Sequence, residues 1–289
     1  MKIFTGVILF LLWFSVYIGL AEENLTWDEC LYEAKKNHPD LISAEEKIKQ
    51  DEAARTITGS VFYPQIDASM DWARTKTTTE KDSYSYGIAG TQLIYNGSKT
   101  VNDLKIASEN IKASQYNYKF TSSEVRFRLR TAFINLLKAQ ELLNITQDIA
   151  KIRRDNLILI TLRYEAGIEH KGALLTAEAN LTQAEFEITQ AERELEVNQR
   201  GLLKEMGRAE FSPVKVNGAF KVSDSAIEKQ DFETLAQNNP SLGKLNAETN
   251  AASFGIKSKE ADFFPKISVS SGADRTGASF PPDQDQWDI

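Results

Sequence analysis

The sequence predicts a mainly α-helical fold with a membrane β component. Long coiled-coil hairpins make a rod, and a few strands cap one end of it. Three observations carry this. No proline occurs between Pro64 and Pro213, and apolar residues in between alternate at threes and fours: Val125, Leu129, Ala132, Phe133, Leu136 and Leu143, then Leu174, Ala177, Leu181, Ala184, Ile188 and Leu195. That spacing buries one stripe of a helix. Residues 65–75 switch to period two, the pattern of a strand with unlike faces. Two short motifs near the N-terminus return near the C-terminus at one fixed offset.

In chain order, residues 1–21 read as a secretory signal. Lys2 precedes an apolar run from Ile3 to Leu20, and Gly19 and Ala21 are the small residues a cleavage site needs. The net charge of the 289-residue chain is −7. Losing Lys2 with the signal leaves 33 basic against 41 acidic residues, or −8. An acidic chain without a basic run argues against nucleic acid. No later apolar run approaches spanning length, so any membrane crossing requires a barrel. The single Cys30 excludes an internal disulfide.

Residues 26–62 form a first helix. Thr26 with Glu29 makes a capping box, and Asn37-His38-Pro39 interrupts the helix, with Pro39 opening a second segment. Strand 65–75 alternates Ile66, Ala68, Met70 and Trp72 with Gln65, Asp67, Ser69 and Asp71. Residues 75–83 read as a polar loop and 84–95 as a second strand, whose alternation blurs from Gly90 to Ile94. Asn96-Gly97 turns the chain into a helix over residues 98–165, 68 residues and roughly 100 Å at about 1.5 Å per residue. A turn at Arg163–Gly167 leads to a helix over 171–206, and 207–228 is a connector with weak β character at 214–222.

From about residue 229 the opening repeats. Asn37-His38-Pro39-Asp40-Leu41 is echoed by Asn238-Asn239-Pro240-Ser241-Leu242, and Phe62-Tyr63-Pro64-Gln65-Ile66 by Phe263-Phe264-Pro265-Lys266-Ile267. Both prolines shift by 201 positions, 240 against 39 and 265 against 64. The expectation is a duplication in which residues 22–206 are one repeat and 229–289 the start of a second, Ile289 falling in the middle of its second strand.

Taken together, these residues resemble the TolC-type outer-membrane efflux protein family. The resemblance covers about residues 25–289. It rests on the Asn-x-Pro-x-Leu and Tyr-Pro-Gln-Ile motifs, on Gln92-Leu93-Ile94-Tyr95-Asn96-Gly97, and on Arg163-Tyr164-Glu165-Ala166-Gly167 followed by Leu174-Leu175-Thr176-Ala177-Glu178. It implies a homotrimer in the cell outer membrane. Four strands per copy complete a twelve-stranded barrel, helices form a periplasmic tunnel, and a periplasmic adaptor and an inner-membrane pump dock at its end. The tip glycine of the family matches Gly167, so Arg163, Tyr164 and Gly167 are the expected adaptor contact. On the strand pattern itself, Ile66, Ala68, Met70 and Trp72 are expected to face lipid, and Gln65, Asp67, Ser69 and Asp71 the lumen. Tyr63, Trp72, Tyr84, Tyr86 and Tyr95 are expected at the membrane interfaces.

Catalytic, cofactor and metal sites are not expected. The two histidines, His38 and His170, have no partner at ligand spacing. Gly97-Ser98-Lys99-Thr100 resembles the end of a phosphate loop, but a serine stands where the loop needs glycine. The expected function is a passive exit duct for small molecules or proteins in a tripartite efflux pump or type I secretion system. A periplasmic coiled-coil adaptor-like protein and a non-functional fragment of a channel are the alternatives.

Overall fold

The computed structural model describes residues 23–76, 80–218 and 231–288. The signal expected at 1–21 and residues 219–222 of the β character expected at 214–222 lie outside these residues. In order the elements are β1 (Glu23–Leu25), α1 (Trp27–Asn37), α2 (Pro39–Gly59), β2 (Gln65–Lys76), β3 (Glu80–Tyr95), α3 (Lys99–Glu165), α4 (Lys171–Met206), β4 (Val214–Val216), α5 (Phe232–Gln237), α6 (Pro240–Glu260), β5 (Ile267–Gly277) and β6 (Gln284–Asp288). Single 3-10 turns follow α2 and α6, at Ser60–Phe62 and Ala261–Phe263. The chain divides into two compact units, one of residues 1–42 and 123–228, the other of 43–122 and 229–289.

In the first unit, α1 begins at the expected capping box. Thr26 accepts from the Glu29 N–H while the Glu29 carboxylate accepts from the Thr26 N–H. It ends at His38, which is extended (φ −68°, ψ 122°) because the ring of Pro39 crowds a helical predecessor. The helical stretch expected over 26–62 is broken at the expected place, with a second helix from Pro39 and a 3-10 turn at its end. Leu129, Phe133 and Leu136 of α3 close a core with Leu202, Leu203 and Met206 of α4 and with Cys30 and Ala34 of α1. Burial pushes the Cys30 thiol up to about 12, which leaves it protonated and unreactive.

β1 and β4 pair in parallel, Glu23 with Val214 and Leu25 with Val216, which period counting over three residues does not reveal. The free side of β4 is met by side-chain amides. Gln140 accepts from the Val216 N–H at 2.9 Å and donates to its carbonyl at 3.1 Å, and Gln199 donates to the Val214 carbonyl at 2.9 Å. Two glutamines thus stand in for a third strand. Arg208 ties Glu23 to Glu33 of α1, holding the Glu23 carboxyl below the usual carboxylate range.

The second unit joins helices to a four-stranded antiparallel sheet in the order β2-β3-β5-β6. The segments paired by the 201-residue offset fold alike. α2 and α6 each hold 21 residues, and each starts on proline and ends in a 3-10 turn. Small residues line the helices here, with Ala107, Ala113, Ala247 and Ala251 buried. Polar bonds cross between them, from Ser258 to Asp103 at 2.5 Å and from Arg55 to Ser108 at 3.1 Å. The strands outrun expectation: β2 reaches Lys76 and β3 starts at Glu80, so the polar loop expected at 75–83 is mostly ladder. Charges expected in that loop pair across the strands instead, Lys76 with Glu80 at 3.0 Å and Asp82 with Arg74 of β2 at 2.7 Å. The blurred stretch after Gly90 remains strand, with a bulge between Leu93 and Tyr95.

Candidate functional site

Two places bring the expected residues together. The first is the sheet. In β2 successive residues point to opposite faces, so Ile66, Ala68, Met70 and Trp72 share one face and Gln65, Asp67, Ser69 and Asp71 the other. The register extends both faces over the sheet. Opposite the apolar set stand Gly90, Ile88, Tyr86 and Tyr84 of β3, and Ile88 in turn meets Ala273 and then Trp287. Opposite the polar set stand Thr91, Ala89, Gly87 and Ser85, with Asp274 facing Gly87 and Asp288 facing Gly272.

Among the described residues no helix or second sheet is packed across either face of β2. Every residue of β2 is exposed, Ile66 by 74% and Met70 by 72%. Soluble sheets do not leave large apolar side chains in water on a whole face. Both edges, β2 and β6, have no strand beyond them among the described residues. Large aromatic residues sit exposed at the helix end of the strands: Tyr63, Tyr95, Phe62, Phe263 and Phe264. Those phenylalanines were not among the expected interface residues, although the echoed segments contain all three.

A turn anchors sheet to helix. Gly97 and Ser98 both have φ of 67°, the left-handed pair that a tight hairpin-type turn needs. A Cβ on Gly97 would stand 2.7 Å from the Phe264 Cβ and 2.8 Å from the Ala261 carbonyl, so only glycine fits. Lys99 binds Asp262 at 2.5 Å, which raises the ammonium pKa and lowers the carboxyl.

The second place is the turn between α3 and α4. Arg163, Tyr164 and Glu165 form the last helical turn, and the loop proper is 166–170. Gly167 is left-handed at φ 72°; its N–H donates to the Tyr164 carbonyl and that of Ile168 to the Arg163 carbonyl, both at 2.9 Å. These are the two bonds of a Schellman cap. Arg163 and Tyr164 are exposed, and Ile168 is 76% exposed. His170 starts α4: its Nδ1 accepts from the Ala173 N–H at 3.0 Å. His38 does the same for α2, accepting from the Asp40 N–H at 3.1 Å. Both histidines are therefore helix caps. Among the described residues no group of three or more histidine, cysteine or acidic side chains could hold a metal ion. No described helix is long and apolar enough to cross a membrane.

A model of the outer membrane efflux protein family matches residues 30–208. The chain belongs to the outer membrane efflux protein family. It is 20% identical over 261 residues to the outer membrane efflux protein BepC of Brucella suis, and 23% identical over 285 residues to the pyoverdine export outer membrane protein OpmQ of Pseudomonas aeruginosa. These alignments cover 90% and 88% of the chain, which spans 57% of the length of each relative. The fold is that of the Campylobacter jejuni CmeC outer membrane channel, with a TM-score of 0.76 at 17% identity, over 90% of this chain and 59% of that one. Efflux-family membership accounts for the pairing of long helices with an uncovered two-faced sheet. The family is one of outer membrane efflux proteins rather than of enzymes.

Proposed function

We propose that the chain is a protomer of a passive outer-membrane channel, the exit duct of a tripartite efflux pump or type I secretion system. One observation carries the reading: a four-stranded sheet is apolar on one face and polar on the other, its strand β2 is exposed throughout, and no strand lies beyond either edge among the described residues. Open edges cannot stand in hydrocarbon, because unpaired N–H and carbonyl groups there cost several kcal/mol each. Closure by other copies removes the edges. Three copies of four strands make a twelve-stranded barrel with Ile66, Ala68, Met70 and Trp72 on lipid. Gln65, Asp67, Ser69 and Asp71 line the lumen, where four aspartates, counting Asp274 and Asp288, leave the water path polar.

The helical part stands in the periplasm, and the exposed tip formed by Arg163, Tyr164 and Gly167 meets a periplasmic adaptor that couples the duct to an inner-membrane pump. The chain catalyses nothing and holds no cofactor; cargo, small molecules or proteins, moves by diffusion. The uncovered sheet separates this reading from that of a soluble coiled-coil adaptor.

Cysteine pairs test it, one on β2 (Asp67, Ser69 or Asp71) and one on β6 (Gln284 or Gln286). The expected result is a disulfide-linked oligomer of three chains in the outer-membrane fraction. A monomer that salt extracts from membranes, with no cross-link for any pair, would overturn the proposal.

A further inference from the structure

The two hairpins of the sheet carry the same two rungs in the same order. In the first, Trp72 stands opposite Tyr84, and two residues further from the helices Arg74 stands opposite Asp82. In the second, Ala273 stands opposite Trp287, and two residues further out Arg275 stands opposite Asp285. Arg74 and Arg275 are separated by the 201 positions that relate the other paired segments. The tryptophan changes strand but keeps its rung. Both arginines bind their aspartates through two nitrogens, Arg74 at 2.7 and 3.0 Å. The Arg74 guanidinium also lies 5.8 Å from the centre of the Trp72 ring. All four rungs lie on the apolar face, and the arginine side chains are 55% and 49% exposed.

We infer that this pair of rungs is the outer-leaflet boundary of the protein, with the tryptophans at the edge of the hydrocarbon and the Arg–Asp pairs in the phosphate headgroup layer. The inference rests on the membrane reading of the sheet and adds the depth at which the bilayer grips it. An aromatic rung next to a charged one is the order met on leaving hydrocarbon for headgroups. Pairing each arginine with aspartate lets a charge stand at that edge, while the exposed part of the guanidinium remains open to lipid phosphate.

The register supplies an independent observation. Arg275 lies opposite Tyr86, which lies opposite Met70 rather than Arg74, so the second hairpin is four residues out of step (74 against 70). In upright strands the two charged rungs would differ in height by roughly 13 Å at about 3.3 Å per residue. Barrel strands lean by about 35–45°, and across two strand spacings of about 4.8 Å a lean at the upper end recovers roughly 10 Å of that step. The two rungs then share nearly one height.

Depth-resolved fluorescence tests this on the full chain reconstituted in phosphatidylcholine–phosphatidylglycerol vesicles. Trp13 and Trp27 are replaced by phenylalanine, and either Trp72 or Trp287 is kept as the reporter. Lipids brominated near the headgroup are expected to quench both reporters more strongly than lipids brominated near the chain end, with matching depth profiles. Arg74→Leu with Asp82→Leu extends the apolar face by one rung and is expected to shift the Trp72 profile toward the deep label, while Arg74→Lys with Asp82→Glu leaves it in place. Strongest quenching by the deep label, clearly different depths for the two reporters, or no shift in the Leu pair would overturn the boundary while leaving the membrane reading standing. Absence of quenching by any brominated lipid would overturn the membrane reading itself.

Discussion

His170 shows how far a single side chain can be read without its surroundings. In sequence it is a histidine beside an expected adaptor contact. In the structure its Nδ1 takes the place of the serine or aspartate that usually caps a helix start, accepting from the Ala173 N–H. The cap needs an unprotonated acceptor atom. His170→Asn keeps such an atom and is expected to hold the stability of the tip, whereas His170→Ala should lose about 1 kcal/mol of helix-start stability. Hydrogen exchange of the amides at Ala173 and its neighbours measures this. Equal protection in the two variants would show that the histidine caps nothing. Gly167 is simpler: it is a left-handed cap at the end of a long periodic run, and its open surroundings add no further demand.

At the level of elements, the long helices were the most legible part. α4 occupies 171–206 as expected and α3 starts one residue later than expected, since apolar positions recur at helical spacing over several turns of each. Weak β character was expected where β4 lies, but β1 and its pairing with β4 were not legible, because three residues carry no period and the partners lie far apart in the chain. The Arg208 cluster is the chemical mark of that pairing, and it has a pH dependence. Hydrogen bonds from Arg208 depress the Glu23 carboxyl below its ordinary value of about 4.5. A depressed carboxylate contributes stability that is complete above its unfolded value and disappears as pH falls through the folded one. The thermal stability lost in Arg208→Gln is therefore expected to be full at pH 7 and to narrow below about pH 4.5. A gap that stays constant across that range would mean the ion pairs do not hold β1 in place.

For the whole molecule, the decisive feature is the two-faced sheet of the second unit. Ile88 and Ala89 are neighbours in sequence and lie on opposite faces of the sheet, paired with Ala68 and Asp67. If the apolar face meets lipid, Ile88→Lys is expected to cost about 2–4 kcal/mol at mid-depth, and Ala89→Lys far less because its face meets water. The yield of membrane-inserted oligomer measures the difference. Equal yields would contradict the assignment of faces.

What the sequence determined by itself was whatever is written in local period. Helix and strand differ in the spacing of their apolar residues, so α3, α4 and the two faces of β2 could be read residue by residue. The turn at Asn96-Gly97, the capping box at Thr26 and the 201-residue echo were legible because each rests on residue type at fixed separation. Only the tertiary structure decided the partners. It placed β5 beside β3, joined β1 to β4, turned the charges of an apparent loop into cross-strand pairs, and set the four-residue step between the hairpins. Pairing depends on which surfaces meet after the chain collapses, and a period of two is satisfied equally well by any strand brought alongside in register.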